Sequence, residues 1–555
     1  MPRNETRASF RSIRNLIDEG YLLQTLKVNR GAIVAPHHLA SQAGLRVLQD
    51  GGNAIEAMVA AASTIAVVYP HMNALGGDNC WLIATPGSDV VGIDACGGAA
   101  TKADIGFYRN QGFDTIPSRG PLAALTVAGA VSGWQAALEF SKKWGGGLPL
   151  SRLLEDAEYY ARTGFPVTRS QKSNTAEKYS ELKNISGFVE TYLSNGKPPE
   201  IGSVFKNQAF AKTLERLARD GLDDFYRGKL ARDIVADLVG AGSPVSADDM
   251  ARHCALVVPP LEVELASGTV YNMPPPTQGL ASLILLAVFE RLGVKDAEGF
   301  DFVHGLIEAT KCAFRVRDAH VTDPKYMDAE PSTFLATDVL DEMACSVDAA
   351  KAAPWPDAEP GGDTVWLGAI DGDGRVVSFI QSVYWEFGSG LVLPETGVTW
   401  QNRGVSFNLN DGAHNCLKPG RRPFHTIQPA LARLSDGRVM AYGTMGGEGQ
   451  PQTQAMLYTR HVQFGQDLQT AVTSPRWLLG RTWGAETTNL RIENRFEPTV
   501  IDALRNAGHD VDLVGPFEEF MGHAGALVRH PAGGVNGELI EGAADPRSDG
   551  IAAGF

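Results

Sequence analysis

Apolar positions recur at helical spacing from His38 to Leu48, and the pattern stops at Gly51-Gly52. Asn53 is placed to cap a second helix, Ala54 to Val67, which is rich in alanine and apolar on most sides. A helix of that kind is buried between layers. Leu75-Gly-Gly-Asp78 reads as a glycine turn, and the apolar run Cys80 to Ala84 pairs as a strand with Val90 to Ile93. The spacing is helical again over Gly129 to Phe140 and Leu150 to Arg162. Residues 170 to 260 read as polar helices with a loop at Phe225-Tyr-Arg-Gly228. Pro274-Pro-Pro-Thr-Gln-Gly279 breaks the chain before a helix from Leu280 to Leu292, and Phe302 to His320 is a further helix.

The character changes near residue 350. Ala349 to Gly362 is rich in Pro, Ala and Gly and reads as an exposed flexible segment. Beyond it, Thr364 to Ile370 and Arg375 to Trp385 are strand-like and joined by Asp371-Gly-Asp-Gly374, a hairpin signal. Val405 to Pro419 is loop-like. Arg438 to Thr444 is a strand ending at Gly446-Gly447, and a helix follows from Gln452. Strands held between helical layers predict an α/β protein, a four-layer αββα sandwich.

A chain of 555 residues exceeds one ordinary core, so either several domains or one large layered unit is expected. With 44% hydrophobic and 20% charged residues, wholesale disorder, collagen and coiled coil are excluded. The formal charge of −15 leaves little global attraction for nucleic acid or an anionic membrane. Neither partner is expected, and any anion must be met by a local basic pocket. The six cysteines (Cys80, Cys96, Cys254, Cys312, Cys345 and Cys416) are scattered without a C-x-x-C pair, which points to free thiols and a cytoplasmic location. Residues 1–30 carry Arg3, Arg7, Arg11 and Arg14 without an apolar core, so they read as an extension and not as a secretory signal. No apolar stretch reaches the about 18 residues of a membrane span. The 12 histidines are dispersed, so no metal and no cofactor is expected.

Common catalytic motifs are missing: there is no G-x-S-x-G elbow, P-loop or H-E-x-x-H. One junction draws the chemistry. The Pro/Gly-rich segment ends at Asp363, and Thr364 begins a strand. Cleavage between them would make Thr364 a chain start, its hydroxyl a nucleophile and its α-amine, of pKa about 8, the general base. A Thr after Gly-Gly-Asp is equally an ordinary strand starter, and the residues alone leave both open. Gly446-Gly447 is likewise either a tight turn or a pair of N–H groups aimed at an anion. Cys96 is a pocket thiol or a small core residue. Lys418, Arg421 and Arg422 are an anion funnel or a structural turn.

Eight motifs in order bear on the first two of these alternatives and leave the others open. They are Leu75-Gly-Gly-Asp78, the run from Leu125 to Trp134, Phe225-Tyr-Arg-Gly228, Pro274 to Gly279, Asp363 to Asp371, Phe387-Gly-Ser-Gly390, Met445-Gly-Gly447 and Asp545-Pro-Arg547. With them the chain resembles the γ-glutamyltranspeptidase family of N-terminal-nucleophile hydrolases from about Gly31 to Phe555. The resemblance implies a precursor that cuts itself between Asp363 and Thr364. Its products, a large subunit 31–363 behind the extension and a small subunit 364–555, would stay together as one αββα heterodimer, with further dimerisation left open. It implies Thr364 as nucleophile and α-amine base, Ser382 as its orienting partner, and Gly446 and Gly447 as the oxyanion hole.

The departures narrow the substrate. Glutamyl-handling members have Thr-Thr-His at the cut; here it is Thr364-Val365-Trp366. Their carboxylate-binding Arg is replaced within Asp94-Ala-Cys-Gly-Gly98, and their amine-binding positions hold Tyr384, Arg403 and Ser406. Two adjacent serines become His425 and Thr426. A glutamyl ammonium would meet Arg403, a like-charge penalty. The runs Phe379 to Gly390, Trp400-Gln-Asn-Arg-Gly404, Arg422 to Thr426 and Met445 to Thr453 resemble the branch of the family that hydrolyses oxamate, a reaction of purine and ureide breakdown. That likeness implies a small anionic amide as the partner molecule, bound by Arg403, His425, Thr426, Tyr384, Asn402 and Ser406. The alternative is γ-glutamyl transfer or hydrolysis on glutathione-like amides. The division at Thr364 predicts two pieces on denaturing electrophoresis; one full-length band, unchanged by Thr364→Ala, would sink it.

Overall fold

The strand Asp363–Ile370 lies inside a seven-stranded antiparallel sheet, hydrogen-bonded to Ala32–Ala35 on one side and Val376–Tyr384 on the other. The computed structural model describes residues 23–355, 363–480, 488–532 and 538–555. In this first sheet the strand order is Ile551–Gly554, Ala32–Ala35, Asp363–Ile370, Val376–Tyr384, Asp78–Ala84, Val91–Ala95, Leu256–Val258. A second seven-stranded sheet runs Leu26–Val28, Ile540–Ala544, Gly525–Arg529, Val439–Gly443, Ala430–Leu434, Gly268–Asn272, Leu261–Leu265. Each sheet therefore takes strands from both sides of Thr364.

Side-chain alternation turns the two sheets into layers. Val365, Leu367 and Ala369 pack under the helices Ala54–Val68 and Ala130–Lys142, whereas Trp366 and Ile370 join Leu431, Ala441 and Leu527 between the sheets. The helices Gly279–Arg291, Phe300–His320 and Gln450–Tyr458 cover the far face of the second sheet. The result is the expected αββα order. Every residue of Ala54–Val68 is buried, and Asn53 caps it in a reciprocal capping box with Glu56. Asp371 in the hairpin turn accepts from Ala54 N–H at 3.0 Å, which ties the Thr364 hairpin to that helix.

Several local expectations change. Leu26–Val28 pairs with Ile540–Gly542, so the folded chain begins before Gly31; three residues beside Asn29 and Arg30 are too short a strand to show a pattern. The helix expected over Leu150 to Arg162 is divided into Leu150–Leu153 and Glu155–Thr163. Phe225 to Gly228 is a helical turn and not a loop, because the buried Tyr226 hydroxyl donates to Ala128 C=O and accepts from Ser132 N–H. The start of the Pro/Ala-rich segment is pinned: Lys311 and Glu308 hold both backbone groups of Ala353, and Arg315 donates to Pro354 C=O. Buried charges on Phe300–His320 make that clamp, and local composition does not reveal them. Residues 356–362 of the segment lie outside the described residues. All six cysteines are free, and among the described residues no helix is long and apolar enough to cross a membrane.

Trp366 is the wedge that sets the sheet spacing beside Thr364. Its ring lies over Gly443 and Gly525 of the second sheet, and its Nε1–H donates to Ser378 Oγ at 3.0 Å. A Cβ at Gly443 would run into that ring. Gly443→Ala is therefore expected to lower stability by about 1–3 kcal/mol through overpacking, read from chemical unfolding; an unchanged midpoint would show that Trp366 is free to move.

Candidate active site

Thr364 is fully buried at a break in the ladder. Asp363 pairs with Tyr384 and Val365 with Gln381, so Ser382 and Val383 share the place opposite Thr364. Bulges of this kind re-aim a side chain and are frequent at active sites. The Thr364 hydroxyl accepts from Gln450 Nε2 at 3.3 Å, at the start of the helix that follows Gly446 and Gly447. Those glycines have φ of 116° and 52°, left-handed backbone in succession, which turns the chain from strand Val439–Gly443 into the helical segment. Consecutive N–H groups at such a turn, ahead of a helix, favour negative charge.

The far side of the hairpin bends as sharply. Tyr384 has φ of 82°, unusual for a residue with a Cβ. Its N–H donates to Ser382 Oγ at 2.8 Å. Asn402 Oδ1 accepts the next N–H, of Trp385, at 3.1 Å, while its Nδ2 donates to Ser118 C=O at 3.0 Å. The bend brings the Tyr384 ring under Arg403, whose guanidinium carbon lies 3.8 Å from the ring centre.

Arg403 has no exposed surface. Burial pulls its pKa down, against the opposing influence of Tyr384 and Asp78; a guanidinium nonetheless stays charged in a protein. It donates through Nη1 to Thr426 Oγ1 at 3.1 Å. Its Nε and Nη2 find no partner among the described residues. Those two N–H groups form the side-on fork of a guanidinium, which matches the two oxygens of a carboxylate.

His425 is the neighbour of Thr426 and is equally buried. Its Nε2 lies 2.9 Å from Asp78 Oδ2, and its Nδ1 has no partner among the described residues. Burial, with Arg403 and Arg422 adding to it, holds the imidazole well below its usual pKa, so it is neutral. Burial raises the Asp78 carboxyl to about 7, opposed by the Gly129 N–H donor, by Arg403 and by the Gly97 N–H donor.

Gln278, from the Pro-rich motif, joins these parts. Its Nε2 donates to Thr426 C=O at 2.7 Å and to Gly447 C=O at 2.8 Å, and its Oε1 accepts from Arg317 at 3.2 Å. Its backbone N–H donates to His425 C=O, while His425 N–H donates to Pro276 C=O. A closed circuit results, from Thr364 through Gln450, Gly447, Gln278, Thr426, Arg403 and Tyr384 back to Asp363.

Most of the residues singled out in the sequence thus meet. Thr364, Ser382, Tyr384, Arg403, His425, Thr426, Gly446 and Gly447 are linked by contacts that start from the Thr364 strand and its hairpin partner. Asn402 belongs to the same group, but both ends of its amide serve the backbone. Ser406 is set apart: its hydroxyl meets Arg403 C=O and Phe424 C=O, and it lines a cavity of about 300 Å³ with Phe424, Glu448, His414 and Asn415. Arg421 and Arg422 are not a funnel. Arg421 is spent on Cys416, His414 and Thr322, and Arg422 on Asp94 and Asp323. Cys96 is buried, with Sγ 3.9 Å from that of Cys80, and burial raises both thiols. Sequence reading passes over Asp78, Gln278 and Gln450. Asp78 carried a signal, an acid at the head of an apolar strand; the glutamines carried none beyond their motifs. Gln278→Leu keeps the volume but takes the side-chain donor from Thr426 C=O and Gly447 C=O and the acceptor from Arg317, so a loss of about 1–3 kcal/mol is expected. Turnover should fall with it, and full activity at normal stability would show the circuit is dispensable.

Known proteins align along nearly the whole chain. The family profile described as gamma-glutamyltranspeptidase matches residues 40–555. An oxamate amidohydrolase proenzyme of Klebsiella pneumoniae is 53% identical over 526 residues, covering 95% of this chain and 98% of that one. A glutathione hydrolase-like proenzyme of Bacillus subtilis is 38% identical over 94% of this chain and 98% of its own. Among solved structures, a cephalosporin acylase from Bacillus halodurans superposes with a TM-score of 0.87 at 31% identity, over 96% of this chain and 97% of that one. With its αββα layers, its Thr at a strand start and these relatives, the chain belongs to the γ-glutamyltranspeptidase family.

Proposed function

We propose that this amidohydrolase is made as a precursor, cuts itself before Thr364, and then hydrolyses the primary amide of a small anion, oxamate, to oxalate and ammonia. The observation that carries the substrate reading is Arg403: a buried cation on the ring of Tyr384, the residue that pairs with Asp363, with Nε–H and Nη2–H both without a partner among the described residues. A carboxylate directly joined to an amide would fill that fork and set its carbonyl against Thr364. The 53% identity to a protein named oxamate amidohydrolase supports the same reading.

In the first stage Thr364 Oγ attacks the Asp363 carbonyl, the acyl group moves from nitrogen to oxygen, and water hydrolyses the ester. Strands from both sides of the cut interleave in both sheets, so the two pieces stay one body. In the second stage the freed α-amine takes the hydroxyl proton as Oγ attacks the substrate carbonyl. The N–H groups of Gly446 and Gly447 receive the oxyanion, and each such donor contributes about 2.7–4 kcal/mol in measured cases. The proton passes to the leaving nitrogen, ammonia departs, and water releases oxalate from the acyl-enzyme. Ser382 and Gln450 keep the hydroxyl in place, Tyr384 backs the guanidinium, and Asn402 fixes the bend that carries Tyr384. Ser406 holds the Arg403 turn at the wall of the neighbouring cavity.

Ammonia release from a panel of short anionic amides, with a γ-glutamyl anilide beside them, tests the reading. Turnover of oxamate is expected, and Arg403→Gln should cut kcat/KM for it by about two orders of magnitude, as for loss of a buried charged pair. Glutamyl turnover without oxamate turnover would falsify the substrate assignment.

A further inference from the structure

Among the buried polar atoms around Arg403 that no described residue satisfies are Arg403 Nε and Nη2, and His425 Nδ1. The first two are donors by their chemistry. A proton decides the third. Asp78 Oδ1 accepts from Gly129 N–H at 2.8 Å and from Gly97 N–H at 3.2 Å. Gly129 caps the helix Ala130–Lys142, whose N-terminal end favours negative charge. Neither glycine has room for a Cβ, because Val127 C=O crowds Gly97 and Ala95 C=O crowds Gly129. The backbone is thus shaped to deliver two N–H groups to one carboxylate oxygen. The other oxygen, Oδ2, faces His425 Nε2 at 2.9 Å. Above its raised pKa of about 7 Asp78 is a carboxylate that accepts the Nε2 proton, and a neutral imidazole protonated on Nε2 keeps its lone pair on Nδ1.

We propose that Asp78 is a positioning residue that fixes the tautomer of His425, leaving Nδ1 as an acceptor that admits an amide substrate and rejects its dicarboxylate product. The proposal rests on the amidohydrolase reading above. Oxamate and oxalate share the carboxylate that Arg403 would grip. They differ at the other end, where oxamate offers two N–H donors and oxalate two further acceptor oxygens. His425 Nδ1 accepts from the first and meets the second lone pair to lone pair, with the Asp78 charge behind it. One contact thereby selects the substrate and clears the product, which is specificity by a built-in repulsion.

Steady-state kinetics with oxalate as inhibitor, run above the raised pKa of Asp78 of about 7, test this on the self-cleaved protein. The wild type is expected to bind oxalate with a Ki at least about tenfold above its KM for oxamate. In Asp78→Asn the carboxamide can donate to Nε2 and move the imidazole proton to Nδ1. KM for oxamate should then rise while Ki for oxalate falls, so that their ratio collapses by about tenfold or more. Purely structural damage would weaken both ligands and leave the ratio unchanged. Should Asp78→Asn fail to fold or cleave, His425→Gln, whose amide can turn either end to the ligand, is expected to give the same collapse. An unchanged ratio in the variant, or a wild-type Ki at or below KM, overturns the role of Asp78 alone. Absence of oxamate turnover in the wild type overturns the functional reading and this proposal together.

Discussion

A guanidinium without exposed surface must be compensated, because taking a charge out of water costs several kcal/mol. The compensation given to Arg403 is deliberately incomplete in geometry. Tyr384 offers its π-face, Thr426 takes one N–H, and the Asp78 carboxylate acts on it from beyond His425. The side-on fork has no partner among the described residues, and in the proposed function it takes the substrate anion. Much of the local irregularity serves this one residue. The left-handed backbone at Tyr384, the bulge opposite Thr364 and the amide bridge of Asn402 all bring the aromatic face beneath the charge.

The layered fold makes such a site affordable. Two sheets packed face to face enclose an apolar layer that Trp366 enters, and Thr364 precedes it by two residues on the same strand. The second sheet brings Gly446, Gly447 and the Gln450 helix to the same end. Because the chain crosses between the sheets on both sides of the proposed cut, a break in one peptide bond removes no layer and exposes no core. The clamp of Lys311, Glu308 and Arg315 on Ala353 and Pro354 adds to this, since it holds the chain just ahead of residues 356–362.

The relatives share the scaffold and carry names with different substrates, as expected when specificity lives in a few side chains grafted on a common fold. In the proposed function those side chains are Arg403, His425 and Tyr384. Gln278 ties the backbone of His425 and Thr426 to the Gly447 turn, so the proposed anion grip and oxyanion donors share one hydrogen-bonded anchor.

The helices at His38, Ala54, Leu280 and Phe302 and the hairpin after Thr364 were legible in the sequence, because period and capping are properties of neighbouring residues. The junction at Asp363 and Thr364 was legible for the same reason, as a change of composition meeting a strand, and the family motifs gave it a role. Asp78, Gln278 and Gln450 were not, and whether Arg421 and Arg422 are free was left open, because a hydrogen bond spanning the chain leaves no local pattern. Asp78 and His425 are 347 residues apart, and Gln278 and Gly447 are 169 apart. By itself the sequence determined the layers, the strand that carries Thr364 and the identities of the charged groups. Only the tertiary structure decided which donors are consumed and which are left over, since that depends on the burial and partners of side chains that meet only after the sheets close.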